Sequence, residues 1–250
     1  MTGLYNGLKE PARGLKGEYV RILRVSEKHL LVLASNSPRR RELLALTGWL
    51  FSVMPADVNE DLRSAETPSE YVLRLAQSKA RACRRLTGAK HAGEAAFILA
   101  ADTTVVNGKD TLGKPKDAAE AIEMLTALRG HSHQVYTGIA LLRLKDGRML
   151  TDVCVTDVPM REYSHEEIVA YVATGDPLDK AGAYAIQHPK FQPVENLSGC
   201  YASVMGLPLC HLTRNMQTFG VAPAADVPGN CQSMLNYTCP ISPNLQEQVG

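Results

Sequence analysis

The run FILAADTTVV at 97–106 constrains the fold more than any other part of the sequence, because it is apolar apart from one carboxylate and two threonines. A short continuous apolar run of this kind predicts a buried strand. LLVLA at 30–34 is a second such run. Buried strands need other elements against the faces of their sheet, so helices are expected between and after these two strands.

Helix and hairpin signals follow in the expected places. Capping residues, or a proline in the first turn, indicate helix starts at Ser37, Thr67, Asp117, Ser164 and Pro208. Two β runs at about 134–144 and 148–160 are joined by Asp146-Gly147, a typical hairpin dipeptide. Because this hairpin interrupts the alternation of strands and helices, the sequence predicts an α/β fold on a mixed β-sheet with flanking helices.

Composition excludes several function classes. The 250 residues include 27 Lys and Arg against 26 Asp and Glu, and a net charge of +1 argues against a protein that coats nucleic acid or a membrane surface. No segment has the roughly 18 consecutive apolar residues of a membrane span, and no apolar signal segment begins the chain. The six cysteines form no CxxC pair, which predicts reduced thiols in a cytoplasmic protein.

An anion site is indicated where the first strand meets the first helix, at ASNSPRRRELL (34–44). A helix N-terminus offers free backbone N–H groups and the positive end of the helix dipole. Arg39, Arg40 and Arg41 lie in that first turn, where cations are disfavoured by roughly 0.3–1 kcal/mol each. A bound polyanion would explain them, and three solvated surface arginines are the alternative.

Asp102 lies inside the apolar run, where a carboxylate is costly to ionise without cations or donors nearby. A Mg²⁺ ion on a substrate's phosphates would compensate for the charge, and loop N–H groups at a strand end are the alternative. Lys79 is in helical register with Val72, Ala76 and Cys83, which places it on an apolar stripe unless its amine reaches out to solvent.

Further charged groups lie in loops, where functional residues concentrate. They are Glu60 in DVNE, Lys114 in LGKPKD and Lys180 in PLDKAG. Phosphates would suit the cations and Mg²⁺ would suit the acids, which points to a nucleotide or another phosphoester as substrate. The sequence contains neither GxxxxGK[ST] nor GxGxxG, so the P-loop and the dinucleotide-binding motif do not apply.

Six segments resemble the successive signature blocks of the Maf family of nucleoside triphosphate pyrophosphatases, in the family's order: LASNSPRRRELL, ILAADTTVV, LGKPKDAAEAIEML, GHSHQVYTGIAL, YVATGDPLDKAGAYAIQ and GCYASVMGLPL. The resemblance implies the Maf/inosine-triphosphatase-like fold, with two lobes around a central cleft. It also implies hydrolysis of a nucleoside triphosphate to the monophosphate and diphosphate, with Mg²⁺ or Mn²⁺ as cofactor.

The blocks cover residues 28–218 and leave 1–27 and 219–250 as extensions. The C-terminal extension is rich in proline and shows almost no periodicity, which predicts a segment that drapes over the domain or is disordered. A homodimer is implied by the resemblance alone.

The resemblance assigns the cationic residues to the triphosphate. Ser35, Arg39 and Arg40 would hold phosphates at the junction of strand and helix, and Lys79 and Lys114 would neutralise the triphosphate. The charge pattern singles out the four cations of this set independently.

The same family pattern assigns the acids to catalysis. Asp102 would accept a proton from the attacking water and lie beside the metal, and Glu60 would be metal-associated. Asp179 and Lys180 would shape the floor of the pocket.

Base preference follows from Thr103 and Gln187, which match the family branch that acts on dTTP and UTP, with Arg40 as a third position. The Gln187 amide offers an acceptor and a donor that complement the O4 and N3–H edge of uracil or thymine. Two alternatives stay open: a pyrophosphatase for modified purine nucleotides, and a nucleotide-binding regulator of cell division without turnover.

Overall fold

The computed structural model of the chain describes residues 31–91 and 96–241. The predicted N-terminal extension at 1–27 lies outside the described residues. The strands are β1 Leu31–Leu33, β2 Phe51–Val53, β3 Phe97–Asn107, β4 Asp110–Leu112, β5 Ser132–Arg143 and β6 Met149–Pro159. The helices are α1 Pro38–Ala45, α2 Pro68–His91, α3 Ala118–Leu128, α4 His165–Val172, α5 Tyr201–Val204, α6 Leu209–Thr218 and α7 Val227–Leu235.

The strands form one mixed sheet in the order β2-β1-β3-β5-β6, with β4 paired to β3. β1 runs parallel to β2 and β3, whereas β3, β5 and β6 form an antiparallel meander. The hairpin between β5 and β6 turns at the predicted Asp146-Gly147, with Leu142 opposite Met149. The prediction of an α/β fold on a mixed sheet is therefore confirmed.

Side chains alternate along the central strands and build a core on each face of the sheet. Val32, Ile98 and Ala100 face α2 and pack with its apolar stripe. The neighbouring positions, such as Leu33 and Leu99, face the core that the other helices cover. The two apolar runs of the sequence are thus buried on both faces, as strands at the centre of a covered sheet must be.

The predicted helix starts are confirmed at their caps. Thr67 and Glu70 make the reciprocal hydrogen bonds of a capping box, and Ser164 and Glu167 make those of another. Ser37 and Asp117 accept bonds from backbone N–H groups three residues on. Four elements were not predicted, namely β2, β4, α5 and α7. The first three have only three or four residues, too few for a periodicity to show, and α7 has only one buried residue, Val227.

The described part of the C-terminal extension, residues 219–241, packs against the domain and includes α7. The Trp49 indole N–H donates to the carbonyl of Ala222 at 3.0 Å, and the N–H of Ala224 donates to the carbonyl of Thr47 at 3.1 Å. The Phe219 ring lies 5.3 Å from the Phe97 ring. Of the two predicted outcomes, draping over the domain is the one that these residues adopt.

All six cysteines are free thiols. Within 31–91 and 96–241, no helix has the length and apolar character that crossing a membrane requires.

Candidate active site

A cleft of about 400 Å³ opens where β1 passes into α1, and residues from the middle of β3 line it. All ten candidate residues from the sequence line this cleft: Ser35, Arg39, Arg40, Glu60, Lys79, Asp102, Thr103, Lys114, Lys180 and Gln187. The third arginine of the first helical turn, Arg41, is exposed and does not line it.

At the floor of the cleft, one lysine contacts two carboxylates. Lys79 Nζ on α2 lies 2.6 Å from Asp102 Oδ1 on β3 and 2.6 Å from Glu60 Oε1 in the loop before α2. The side chain of Asp102 is only 9% exposed, whereas that of Glu60 is 49% exposed. The helical register that placed Lys79 on the apolar side of α2 therefore aims its amine at a buried carboxylate rather than at solvent.

The close approach of α2 to the sheet makes this contact available. Gly138 on β5 is the register partner of Asp102, and a Cβ added there would lie 2.8 Å from the backbone carbon of Val72. Real Cβ atoms do not come that close to backbone, so a side chain at this position would push α2 away. Glycine at 138 thus permits the packing that brings Lys79 to Asp102.

The two carboxylates differ in acidity. Burial raises the pKa of Asp102 above its ordinary value, and the nearby Lys79 and Arg40 oppose that rise without cancelling it. Burial acts in the same direction on Glu60, but the hydrogen bond and charge of Lys79 outweigh it and lower the pKa of that carboxyl. Asp102 is therefore the stronger proton acceptor of the two, and Glu60 is the more firmly ionised.

At the start of α1, some of the expected free donors are already engaged. Ser35 Oγ accepts from the N–H of Ser37 at 3.2 Å, Ser37 Oγ accepts from the N–H of Arg40 at 3.4 Å, and Pro38 has no N–H. The anion-binding capacity of this turn consequently depends more on side chains than the sequence suggested. Arg39 lines the cleft, and no described residue forms a hydrogen bond or ion pair with it.

Arg40 is held in place by three acceptors. Its Nε donates to the carbonyl of Gly206 at 2.8 Å, Nη1 to Ser35 Oγ at 3.3 Å and Nη2 to Thr103 Oγ1 at 3.1 Å. Gly206 has φ +108°, and a Cβ there would lie 3.1 Å from Arg40 Nε. A guanidinium has five N–H donors, so two stay directed away from these partners and can meet a substrate.

The two loop lysines, Lys114 and Lys180, differ in exposure and in pairing. Lys114 is exposed at the mouth of the cleft, and none of the described residues pairs with it. Lys180 is 7% exposed, and its Nζ donates to Asp176 Oδ1 at 2.9 Å and to Asp179 Oδ1 at 2.6 Å. Lys180 therefore stabilises its own loop in the lining of the cleft. Because the two acids offset its charge, little of that charge is available to a phosphate.

Gln187 lines the cleft and is exposed to it. Its amide forms no hydrogen bond to any residue in the described ranges. Both its C=O and its NH₂ are thus available to a ligand.

The donor set fits a metal that arrives with its substrate. Among the residues that the structure describes, no group of three or more His, Cys, Asp or Glu side chains converges as a metal site. Asp102 and Glu60 supply two carboxylates on either side of Lys79. Mg²⁺ is commonly held by one or two carboxylates together with water and substrate phosphates, which is what this site can offer.

One residue that lines the cleft, Tyr71, and one buried neighbour of the site, Thr137, were not predicted from the sequence. The Tyr71 hydroxyl donates to the backbone carbonyl of Glu60 at 2.9 Å and lines the cleft two helical turns before Lys79. Its spacing of eight residues from Lys79 on one helix was the signal that could have found it. Thr137 lies opposite Thr103 in the ladder of β3 and β5, and only the strand register reveals that pairing.

Comparison with known proteins gives a consistent result. Residues 30–219 match the family described as "Maf-like protein". The chain is 44% identical to a dTTP/UTP pyrophosphatase of Geotalea uraniireducens over 193 residues, which is 77% of this chain and 96% of that protein. It is 47% identical to a dTTP/UTP pyrophosphatase of Photorhabdus laumondii over 179 residues, 72% of this chain and 88% of the relative.

A more distant relative extends the comparison. A dTTP/UTP pyrophosphatase of Dehalococcoides mccartyi is 39% identical over 193 residues, 77% of this chain and 84% of that protein. The family match spans every residue that lines the cleft. With its mixed sheet, its cleft and this extent of similarity, the chain belongs to the Maf family.

Proposed function

We propose that this protein is a nucleoside triphosphate pyrophosphatase that hydrolyses dTTP and UTP to the nucleoside monophosphate and diphosphate. The observation that carries the proposal is the contact of one lysine with two carboxylates, Asp102 and Glu60, on the floor of a cleft lined by further cations. The relatives described above, which carry the name dTTP/UTP pyrophosphatase, support the same reaction.

The cations around the cleft bind and orient the triphosphate. Arg39 and Lys114 lack a partner among the described residues, so their charges are available to phosphate oxygens. Ser35 and the two remaining N–H groups of Arg40 add donors at the start of α1. Charge-assisted hydrogen bonds to phosphate are among the stronger polar contacts in proteins.

Asp102 is the group that takes a proton from the attacking water. The water oxygen bonds to the α-phosphorus, its proton passes to a carboxylate oxygen of Asp102, and the bond from that phosphorus to the α,β-bridging oxygen breaks. The electron pair of the broken bond stays on the bridging oxygen, which leaves as part of the diphosphate. Because burial raises the pKa of Asp102, it accepts this proton more readily than an ordinary aspartate would.

Glu60 and Asp102 would hold the Mg²⁺ or Mn²⁺ ion, which when bound neutralises phosphate charge and polarises phosphoryl oxygens. Without the ion, Lys79 offsets the charge of both carboxylates. This arrangement keeps two acids together in a partly buried place before substrate arrives.

Gln187 and Thr103 select the base. The Gln187 amide can donate to O4, which uracil and thymine share, and this leaves their N3–H for a second acceptor in the cleft. Thr103 lines the same cleft and is hydrogen-bonded to Arg40. A site built to pair with these groups rejects bases that lack them, because its own polar atoms would be left unpaired.

We assign the catalytic domain to residues 28–218. The ten proposed site residues all fall between positions 35 and 187, and no residue after Gly206 lines the cleft. A cytoplasmic location and a homodimer stay predictions of the sequence.

A panel of nucleoside triphosphates with Mg²⁺ or Mn²⁺ tests the proposal. We expect diphosphate release from UTP and dTTP, at rates well above those for ATP, GTP and CTP. Absence of diphosphate from every pyrimidine triphosphate would contradict it, and metal-dependent UTP binding without product would favour the regulator instead. Faster turnover of a modified purine nucleotide would overturn the pyrimidine assignment.

A further inference from the structure

A chain of hydrogen bonds leads from the cleft into the core through two threonines. Arg40 Nη2 lies 3.1 Å from Thr103 Oγ1, and Thr103 Oγ1 lies 2.9 Å from Thr137 Oγ1. Thr137 Oγ1 in turn lies 2.8 Å from the backbone carbonyl oxygen of Ser203. Thr103 lines the cleft, whereas Thr137 is completely buried.

The groups at the two ends of this series of hydrogen bonds determine which atom donates in each bond. The carbonyl of Ser203 can only accept, so the single hydroxyl proton of Thr137 points to it. The guanidinium of Arg40 can only donate, so Thr103 accepts from it. The hydroxyl proton of Thr103 must then go to Thr137, because the proton of Thr137 is already committed.

Thr103 consequently presents no proton to the cleft. A threonine hydroxyl has one proton and two lone pairs, and here the proton and one lone pair are used inside the protein. The remaining lone pair makes Thr103 an obligate acceptor toward a ligand. A threonine without such a partner would rotate and serve as donor or acceptor as the ligand required.

An obligate acceptor distinguishes the pyrimidine bases. Uracil and thymine carry a proton on N3, whereas N3 of cytosine carries a lone pair. A fixed acceptor would attract the first and repel the second, and a freely rotating hydroxyl would accommodate both.

We propose that Thr137 is a positioning residue that fixes the direction of the Thr103 hydroxyl and thereby makes the cleft select uracil and thymine over cytosine. This inference rests on the proposed function. Thr137 is well placed for the role, because it is held opposite Thr103 by the ladder of β3 and β5 and is anchored to α5 through Ser203.

Two substitutions at Thr137 separate the hydroxyl from the side-chain shape. Thr137→Val keeps the branched shape and removes the hydroxyl, whereas Thr137→Ser keeps the hydroxyl and removes the methyl group. A packing role would make the serine variant the more damaging of the two, because valine fills the same space. The positioning role predicts the reverse for base selection.

The measurement is kcat/KM for UTP and for CTP in the wild-type protein and both variants. We expect Thr137→Val to lower the ratio of UTP to CTP about tenfold, the size of one hydrogen bond, with the change appearing in KM rather than kcat. Thr137→Ser should keep the wild-type ratio. Thermal unfolding of each variant verifies that it is folded under assay conditions.

A double variant tests that Thr137 acts through Thr103. Thr103→Val removes the hydroxyl that reads the base, so adding Thr137→Val to it should change the UTP to CTP ratio no further. A second loss in ratio would overturn the inference. If Thr137→Val folds poorly, Thr137→Ser provides the test, because a loss of ratio in that variant would overturn the inference.

Failure of the positioning role and failure of the proposed function give different results. If wild-type protein hydrolyses UTP and the ratio is the same in Thr137→Val, the positioning role is wrong and the proposed function stands. A loss of ratio in Thr137→Ser as large as that in Thr137→Val, or larger, would also overturn it, in favour of packing. A wild-type protein that releases nothing from UTP would overturn both.

Discussion

At the scale of single residues, the site consists of opposite charges that moderate one another. Lys79 lies between Asp102 and Glu60, and the surroundings shift the pKa values of these two carboxyls in opposite directions. Groups whose pKa values are pushed apart are suited to different roles in one reaction. The buried acid serves as the proton acceptor, and the exposed acid stays ionised for a metal.

Gln187 provides a direct test of base reading at this scale. Gln187→Glu replaces the NH₂ donor with an ionised oxygen, which repels O4 of uracil. We expect kcat/KM for UTP to fall by about tenfold or more, because one favourable hydrogen bond becomes a repulsive contact.

The control for Gln187→Glu is an equal change of charge outside the cleft. Gln217→Glu lies on α6 and away from the cleft-lining residues, so it should leave UTP turnover at the wild-type value. Unchanged UTP turnover in Gln187→Glu would remove Gln187 from base recognition.

At the scale of elements, the position of α2 on the sheet determines the geometry of the catalytic centre. α2 carries Lys79, β3 carries Asp102, and β5 lies beneath them with a glycine at the point of closest approach. The distance between the lysine and the acid thus depends on how closely one helix packs on one strand.

Gly138→Ala should disturb that packing. The added Cβ would meet the backbone of Val72 at 2.8 Å, so α2 must shift away from the sheet. We expect a loss of stability of about 1–3 kcal/mol in denaturant unfolding, together with reduced UTP turnover. Gly113→Ala, where an added Cβ meets no atom within 4 Å, should keep wild-type stability. Equal stabilities of the two variants would contradict this account of α2.

A second contact between elements depends on pH. Asp152 on β6 contacts His211 Nδ1 at 3.1 Å and Arg214 Nη2 at 2.6 Å, both on α6. Burial alone would lower the pKa of His211, but its bonds to Asp152 and Cys154 raise it to about 9. Because the folded value lies above the unfolded value of about 6.5, the stabilisation is fully present below about pH 6.5 and is lost as pH rises through about 9.

Urea unfolding from pH 6 to pH 9.5 measures this effect. The wild-type protein should lose about 3 kcal/mol of unfolding free energy across the range from this residue. His211→Gln retains a hydrogen-bond donor without the charge change, so its pH dependence should be flatter. Groups that titrate in this range and do not contact His211 are present in both proteins and cancel in the comparison. Parallel curves for the two proteins would show that His211 is not the source.

Some secondary-structure elements can be predicted from the sequence and others cannot, for physical reasons. Long apolar runs and capping boxes identified β3 and the starts of α2 and α4, because burial and capping leave local signals. β2 and β4 have three residues each, too few for any period to show. The pairing of Thr103 with Thr137 needs the register of β3 against β5, which depends on contacts distant in sequence.

At the scale of the whole molecule, the cleft and the C-terminal extension are separate. The cleft draws its residues from positions between 34 and 206, whereas residues 219–241 contact Thr47 and Trp49 before β2, Phe97 at the start of β3, and α6. The ten candidate residues of the site lie in one cleft, and the charged ones could be found because their charges are unusual for their surroundings. Arg41 carries the same signal and lies outside the cleft. The helix α7 could not be predicted from its sequence, because only Val227 in it is fully buried and it has no clear apolar face.

Phe219 tests this separation. Its ring packs on Phe97 and lies 4.6 Å from the Arg143 guanidinium and 5.3 Å from that of Arg148. Phe219→Ala should lower the unfolding free energy by about 1–3 kcal/mol, as large-to-small changes at partly buried sites do. Turnover of UTP at 25 °C should stay at the wild-type value. A selective loss of turnover without loss of stability would show that the extension acts on the cleft.

The central claim is that water cleaves the bond between the α- and β-phosphates with Asp102 as proton acceptor. Phosphorus NMR of UTP incubated with the protein and Mg²⁺ tests it most directly, in the wild-type protein and in Asp102→Asn, which keeps the shape of the side chain and loses its basicity. The account predicts UMP and diphosphate from the wild-type protein and at least about a hundredfold slower conversion by a folded Asp102→Asn. UDP and phosphate as products, or wild-type conversion by Asp102→Asn, would contradict it.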